Sequence, residues 1–261
     1  MDSAIKKRKN NSADIKLTDL HTHILPAFDD GAESIEIALR MLLMQKENGI
    51  ERVALTPHFY PFQEELGVFL ARRQRAYAEL MSRWDDEIMP HVCLGAEVHY
   101  SPALLQMDLR CLTIGDGNFL LLELPDKGIA PCLDQVIEDL LGQGIVPIIA
   151  HIDRCEVFRH EPDRLYNLIQ MGALAQIDVG ALIKRKRDKF AVMCLNKGLA
   201  HLIASDMHNL SNRRNLLSDI VTGDNMEYLC YTEMFARAIW DKDPLPSFSV
   251  KKIQKSWMGY R

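Results

Sequence analysis

The sequence predicts an α/β protein whose strands close, or nearly close, into a barrel. Three observations carry this expectation. Seven short, β-rich apolar runs alternate with longer helical stretches; glycine recurs just after helices and before the next strand (Gly49, Gly144, Gly172, Gly198); and nothing between them reads as an interdomain linker. Strand, helix, strand in that rhythm requires parallel pairing through crossover helices. Seven such units favour a barrel, with a doubly wound open sheet as the alternative.

The runs cover residues 15–20, 52–56, 92–96, 119–122, 146–150, 174–177 and 199–204. Several are almost wholly apolar, as strands covered on both faces are. The first helical pattern spans 34–48, with Ile35, Ala38, Leu39, Leu42 and Leu43 on one face and Gly49 as its stop. Others are expected near 64–88, 132–141, 163–170, 189–196 and 212–221, with a last one over 226–240. Residues 241–261 carry no clear pattern.

Of 261 residues, 48% are apolar and 26% charged, which suits one large domain with a single core. Thirty-one basic against 36 acidic residues leave a net charge of −5, without the basic excess of a nucleic-acid binder. No apolar run approaches the ~18 residues of a membrane span. The start, with Lys6-Lys7-Arg8-Lys9 and then Asn10-Asn11-Ser12, has no apolar core of a secretory signal. It is read as a flexible basic tail over residues 1–16, the barrel occupying 17–261. Cys93, Cys111, Cys132, Cys155, Cys194 and Cys230 form no CxxC pair. They are expected to be free thiols in a reducing, cytoplasmic setting.

In a barrel the active site sits where strands end at their C-terminal side. There the first run is followed by His21, His23 and Asp30, the second by His58, the third by Glu97 and the fourth by Glu123. The fifth gives His151, the sixth Asp178, and the seventh Asp206 and His208. Each is a residue type that binds metal. One such histidine is ordinarily structural; the force lies in one kind of position holding them all. His91, His99, His160 and His201 stand elsewhere and are read as structural, His99 least securely because it follows Glu97 by two. Imidazole suits Zn, Mn and Fe, and carboxylates can bridge cations. Five histidines with Asp30, Glu97, Glu123 and Asp206 exceed what one ion takes and suffice for two or three. Such a cluster can generate hydroxide near neutral pH and neutralise a phosphoryl transition state.

Other hydrolytic and nucleotide motifs are missing. A thiol phosphatase needs Arg six residues after its Cys, and His99, Gly117, Glu138, Glu161, Ala200 and Ala236 stand there instead. There is no Gly-Lys pair for a phosphate loop, no Gly-x-Ser-x-Gly elbow, and Gly115-x-Gly117 meets Leu120 where a dinucleotide fingerprint needs Gly. Arg154 and Arg213, close after His151 and His208, have the fork geometry that suits phosphate oxygens. The run Lys184-Arg185-Lys186-Arg187 is either a solvated face or an attractor for an acidic, phosphorylated substrate.

At these residues the chain resembles the polymerase and histidinol phosphatase (PHP) family. Within it, the resemblance is to the bacterial metal-dependent protein tyrosine phosphatases of capsule and exopolysaccharide operons. The motifs are Asp19-Leu20-His21-Thr22-His23-Ile24-Leu25-Pro26, Asp29-Asp30-Gly31, Thr56-Pro57-His58, Gly95-Ala96-Glu97, Ile149-Ala150-His151-Ile152-Asp153-Arg154 and Ile203-Ala204-Ser205-Asp206-Met207-His208-Asn209-Leu210. The resemblance implies a distorted seven-stranded β/α (TIM-like, PHP) barrel holding up to three ions, most often Mn2+, with Fe, Zn or Mg as alternatives. It implies one ligand set of His21, His23, Glu123 and Asp206, a second of Glu97, Glu123 and His151, and a third of Asp30, His58 and His208. Arg154 and Arg213 match phosphate-binding arginines. The implied reaction is in-line attack of hydroxide on the phosphorus of phosphotyrosine, with tyrosine leaving, and the implied partner is a tyrosine autokinase of polysaccharide export. Another phosphoesterase of the superfamily, acting on histidinol phosphate or a nucleotide, and a non-catalytic kinase-binding regulator are the alternatives. The long start, Phe59-Tyr60-Pro61-Phe62 after His58, Asp178 where Asn is commoner, and Arg214 where Pro is typical depart from the pattern and bear on substrate identity.

Overall fold

The computed structural model of the chain describes residues 16–128, 130–183, 187–221, 223–256 and 259–260. Residues 1–15 of the expected tail, and Lys184, Arg185 and Lys186 of the basic run, lie outside the described residues.

Nine parallel segments build the sheet: β1 Leu17–Thr22, β2 Ile50–Leu55, β3 His58–Phe59, β4 His91–Leu94, β5 Glu97–His99, β6 Phe119–Glu123, β7 Val146–Ile149, β8 Leu174–Asp178 and β9 Leu202–Ala204. They amount to seven staves. Pro57 interrupts the second between β2 and β3, and Gly95-Ala96 the third between β4 and β5, yet the ladder carries on. Gly95 N–H donates to Leu55 O at 2.9 Å and Glu97 N–H to Pro57 O at 3.1 Å. The last stave returns to the first: Asp206 N–H donates to His21 O at 3.0 Å and His23 N–H to Met207 O at 2.9 Å. The expected barrel is therefore present. Its distortion has a definite seat, because β4 pairs with β2 while β6 pairs with β5 and β7. Ile114, from the short turn Ile114–Asp116, joins the interior cluster beside these strands.

Around the staves run α1 Ile35–Glu47, α2 Leu66–Met81, α3 Leu133–Gly142, α4 Glu156–His160, α5 Pro162–Met171, α6 Gly180–Ile183 and α7 Lys189–Asn196. Ser34 caps α1 through the Ile37 N–H, and Asp188 caps α7 through those of Phe190 and Ala191. Side chains alternate along each stave. Leu120, Leu122, Ile149, Ala175, Ile177 and Ile203 face the outer layer. Leu20, Ala54, Phe119, Leu121, Ile148, Leu174 and Leu202 face inward. The lower mouth is closed by α8 Met226–Asp241, whose Phe235, Ala236 and Ile239 enter that inner cluster. Continuing the inward rows upward leads from Leu121 to Glu123 and from Leu174 through Gln176 to Asp178. Each row turns from apolar to polar at the same height.

The structure corrects several boundaries. The first strand lies two residues later than expected, through Thr22, because the buried Asp19 carboxylate is satisfied by Ser205 N–H at 3.1 Å and Gln45 Nε2 at 2.9 Å. The helix expected to Ile88 stops at Met81; Ser82 Oγ donates to Glu79 O at 2.6 Å, and the Asp85 carboxylate accepts the Glu87 N–H at 3.0 Å. Residues 212–221 form a loop and the short turn Leu217–Ile220 in place of a helix. There Asn209 Oδ1 accepts the Ser211 and Arg213 N–H groups at 3.0 Å, and Asn215 Oδ1 accepts the Leu217 N–H at 2.6 Å. Asparagine side chains thus take over backbone donors that a helix would have used. The chain end folds back so that Lys251 N–H reaches Lys197 O at 2.9 Å. Gly198 permits the approach, since a Cβ there would meet Ser249 O at 2.3 Å. Two short strands follow, β10 Lys255–Ser256 and β11 Gly259–Tyr260, paired antiparallel.

No helix among the described residues is long and apolar enough to cross a membrane. The six cysteines are free.

Candidate metal centre

The alternation that fills the barrel also aims its upper side chains. His21 and His23, two apart at the end of β1, both point inward with Nε2 atoms 3.2 Å from each other. On the third stave Glu97 points in, Val98 out to the core and His99 in again. The fourth contributes Glu123. His151 and Asp206 come at the residues where the chain leaves β7 and the last stave, and both have positive φ, 28° and 49°. Such backbone costs about 1–3 kcal/mol each in a non-glycine residue and concentrates where geometry serves function.

Glu97 is the hub. Its Oε2 lies 3.3 Å from Nε2 of both His21 and His23 and 2.9 Å from His58 Nδ1, and its Oε1 lies 2.9 Å from His151 Nε2. Asp206 Oδ1 stands 3.4 Å from the same two Nε2 atoms. Asp30 Oδ1 lies 3.5 Å from His58 Nε2 and 3.3 Å from His208 Nε2. Three overlapping groups could each hold an ion: His21, His23 and Glu97; His58, Glu97 and Glu123; and His23, Asp30, His58 and His208. All nine residues expected as ligands thus come to one cup. The grouping differs from the one the resemblance implied: the carboxylate common to two groups is Glu97, whereas Glu123 meets His58, His99 and His151 rather than His21 and His23.

The electrostatics follow from close packing of opposite charges out of water. Burial alone would raise the Glu97 and Asp206 carboxyls, but the neighbouring imidazoles hold both well below the usual range. Burial would lower His23, yet the Asp29 charge and bonds to Asp206 and Glu97 hold it well above its ordinary value.

A second layer orients the first. Asp29 Oδ2 lies 2.8 Å from His23 Nδ1 and accepts the His58 N–H at 3.0 Å, while its Oδ1 accepts the Gly31 N–H at 3.0 Å. Gly31 is required by contact: a Cβ would meet His23 O at 1.9 Å. Gln176 Oε1 accepts the His151 N–H at 2.9 Å and lies 3.2 Å from His21 Nδ1. His208 Nδ1 is 2.9 Å from Asp206 O. Each of these three imidazoles has Nδ1 engaged and Nε2 turned into the cup.

Sequence reasoning missed several of these roles. His99, read as structural, places Nδ1 2.9 Å from Glu123 Oε2; its spacing of two from Glu97 was the available signal. Asp29 was visible only as the neighbour of Asp30. Gln176 carried no local signal, and Asp19 was visible only as the residue opening the motif of His21 and His23. Asp178 pairs with Arg154 and accepts the Gly180 N–H at 2.7 Å.

Arg154 and Arg213 meet at Asp206, Nη2 of each lying 2.5 and 2.9 Å from its Oδ2. Arg213 Nη1 also reaches Asp30 Oδ2 at 3.3 Å. Both line an open cavity of about 310 Å³ with Asp178, Gly180, Ile183, Asn212 and Arg214. Of the basic run only Arg187 is described, and it donates to Asn225 Oδ1 at 2.5 Å.

Comparisons with known proteins give the family and the likeness of fold. The family model described as capsular polysaccharide synthesis, CpsB/CapC, matches residues 17–228. The tyrosine-protein phosphatase YwqE of Bacillus subtilis is 32% identical over 207 residues, covering 76% of this chain and 79% of the relative. The putative tyrosine-protein phosphatase CapC of Staphylococcus aureus is 27% identical over 210 residues, 78% of this chain and 82% of the relative. Among solved structures, one described with the metal-dependent tyrosine phosphatases YwqE of Bacillus subtilis and CpsB of Streptococcus pneumoniae superposes with a TM-score of 0.78 at 24% identity. The superposition covers 91% of this chain and 100% of that one, a likeness of fold.

Proposed function

This chain belongs to the CpsB/CapC family of capsular polysaccharide synthesis, and from that premise we propose that it is a metal-dependent protein tyrosine phosphatase. One observation supports the reading above the rest. Within a cup of nine donor side chains, three buried ligand atoms meet only neighbours set outside hydrogen-bond geometry among the described residues: Glu97 Oε2 and His58 Nδ1, 2.9 Å apart, and His208 Nε2, 3.3 Å from Asp30 Oδ1. Leaving such atoms unpaired costs about 1–3 kcal/mol each, more for a charged group. Cations satisfy all three, and the mixed imidazole and carboxylate donors fit two or three divalent ions.

We assign His21, His23, Asp30, His58, Glu97, Glu123, His151, Asp206 and His208 as the ligands, with Mn2+ as the preferred ion and Fe, Zn or Mg as alternatives. Divalent ions held there supply Lewis acidity toward a phosphoryl group and its attacking water. The chain's own residues do the rest. Arg154 and Arg213 present guanidinium forks from the cavity wall to the non-bridging oxygens. Asp29 and Gln176 hold the imidazoles in the tautomer that keeps Nε2 available. Tyrosine, with a phenol pKa near 10, is a better leaving group than an alcohol, so the site requires no strong general acid. The substrate is a phosphotyrosine-bearing protein, in our reading a tyrosine autokinase of polysaccharide export in the cytoplasm.

The test is metal analysis of the purified protein together with a phosphotyrosine-peptide assay. Two to three divalent ions per chain and turnover are expected, with turnover abolished in folded His151→Ala and Asp206→Ala. A metal-loaded protein that leaves phosphotyrosine peptides intact overturns the reading.

A further inference from the structure

One arc of the cup's rim is aromatic, and metal ligation and phosphate binding leave it unexplained. On the second stave, His58 faces the cup, Phe59 turns out against Phe69 at 4.8 Å between ring centres, and Tyr60 returns to the cup side. The Tyr60 ring stacks on that of His58, 5.2 Å away and 28° from parallel, and lies 5.3 Å from the ring of His99. Phe62 follows two residues later. It meets His99 edge-on at 5.6 Å and Tyr60 at 5.8 Å, and is 64% exposed. A phenylalanine so exposed is not there for the core; Phe59 and Phe69 fill that role while fully buried. The arginines stand on a different arc, on the loops that follow β7 and β9. A phosphoryl group at the donor cluster is thus within one cup with cationic forks on one arc and flat apolar faces on another.

We propose that Tyr60 and Phe62, backed by His99, form an aryl-binding wall that takes the ring of the leaving group and so selects aryl over alkyl phosphomonoesters. The inference rests on the phosphatase reading of the cup and adds to it the residues that meet the leaving group's ring. Its physical basis is offset and edge-to-face ring packing, which an alkyl phosphate cannot offer. No backbone movement is needed to expose Phe62.

Binding of non-hydrolysable phosphonates isolates this step from leaving-group reactivity. With the metal-loaded protein, Ki is measured for phenylphosphonate and methylphosphonate, in wild type and in Phe62→Ala, Tyr60→Leu and Tyr60→Phe. Phenylphosphonate is expected to bind wild type more tightly than methylphosphonate by about tenfold. Phe62→Ala, at an exposed position that does not threaten folding, should erase several-fold of that ratio. Tyr60→Leu should do the same, while Tyr60→Phe, which keeps the ring, retains the ratio. Methylphosphonate Ki should stay within about twofold throughout. Equal losses for both phosphonates, or an unchanged ratio in Phe62→Ala, overturn the wall while leaving phosphatase activity on phosphotyrosine peptides intact. Wild type that binds neither phosphonate and hydrolyses no phosphotyrosine peptide overturns both readings together.

Discussion

His23 near the upper mouth of the barrel and His201 near the lower one are both fully buried imidazoles, and the chain treats them in opposite ways. His23 is surrounded by Asp29, Glu97 and Asp206, whose charges and hydrogen bonds overcome burial and hold it well above its ordinary pKa. Among the described residues, no carboxylate stands beside His201. Its ring packs against Phe235 and Phe248, its Nδ1 accepts the Ala175 N–H at 3.2 Å, and burial pushes it down to about 3. The same side chain on the same barrel is drawn toward a positive charge at one end and held away from it at the other. What differs is whether the inward rows carry carboxylates. Upward they do, from Glu123 to Asp178; downward they end in Leu, Ala and Phe packed on α8.

The sharpest way to break the upper end is to remove its hub. Glu97→Gln keeps the volume and withdraws the charge that four imidazoles face, so those rings lose the anion that binds cations with them. We expect loss of bound metal and a fall in phosphotyrosine hydrolysis of about 10²–10³-fold, read by metal analysis and steady-state kinetics. A variant that keeps both would mean that Glu97 is a structural carboxylate.

Next in size is the layer behind the ligands. Asp29→Asn removes the charge at 2.8 Å from His23 Nδ1 and keeps one acceptor oxygen, which can take the His58 or the Gly31 N–H but not both. Metal affinity or activity should drop about 10–100-fold. Titration of the apo protein with Mn2+ checks it, an unchanged affinity showing that Asp29 merely shapes the loop. Arg213→Lys probes the rim with charge retained and the fork lost, since one ammonium cannot span Asp206 and Asp30 as two guanidinium nitrogens do. KM for a phosphotyrosine peptide should rise about tenfold with kcat less affected.

The contrast between the two ends also sorts what the sequence makes visible. Seven apolar runs and their spacing suffice for the barrel, because strand alternation and helix crossover are local patterns. Nine candidate ligands are legible because a barrel's chemistry sits at strand ends, so position alone singles out His151 and Asp206 among ordinary polar residues. Which carboxylate is central is a different matter. Glu97 holds that place because the third stave breaks at Gly95-Ala96 and resumes against β3, a consequence of pairing between residues some forty apart. Gln176 and Asp19 are harder still. Gln176 touches His21 across 155 positions and Asp19 touches Ser205 across 186. The loop at 212–221 reads as helical from its apolar spacing, and it is overruled by Asn209 and Asn215 acting on the backbone. His201 looked structural from the sequence and is so, but its unpaired Nε2 and its neutral state come only from the packing of Phe235 and Phe248.

The remaining test addresses the lower end and should leave the cup untouched. An unfolded histidine titrates near 6.5, and the folded His201 near 3. Above pH 6.5 both states are neutral there and the residue contributes no pH dependence. Below it, the unfolded chain takes up a proton that the folded barrel refuses, so stability declines as pH falls from about 6.5 toward 3. The slope is about 1.4 kcal/mol per unit, and the cost at pH 5 is about 2 kcal/mol. His201→Gln cannot titrate and keeps an acceptor for the Ala175 N–H. Whatever it costs at neutral pH, the stability gap between wild type and variant should move by about 2 kcal/mol in the variant's favour on going from pH 7.5 to 5, measured by urea unfolding. The cup's own groups titrate alike in both proteins and cancel from that difference. A gap that stays constant would place a proton on His201 in the folded state and require a carboxylate or water beside Nε2, ending the contrast between the two mouths.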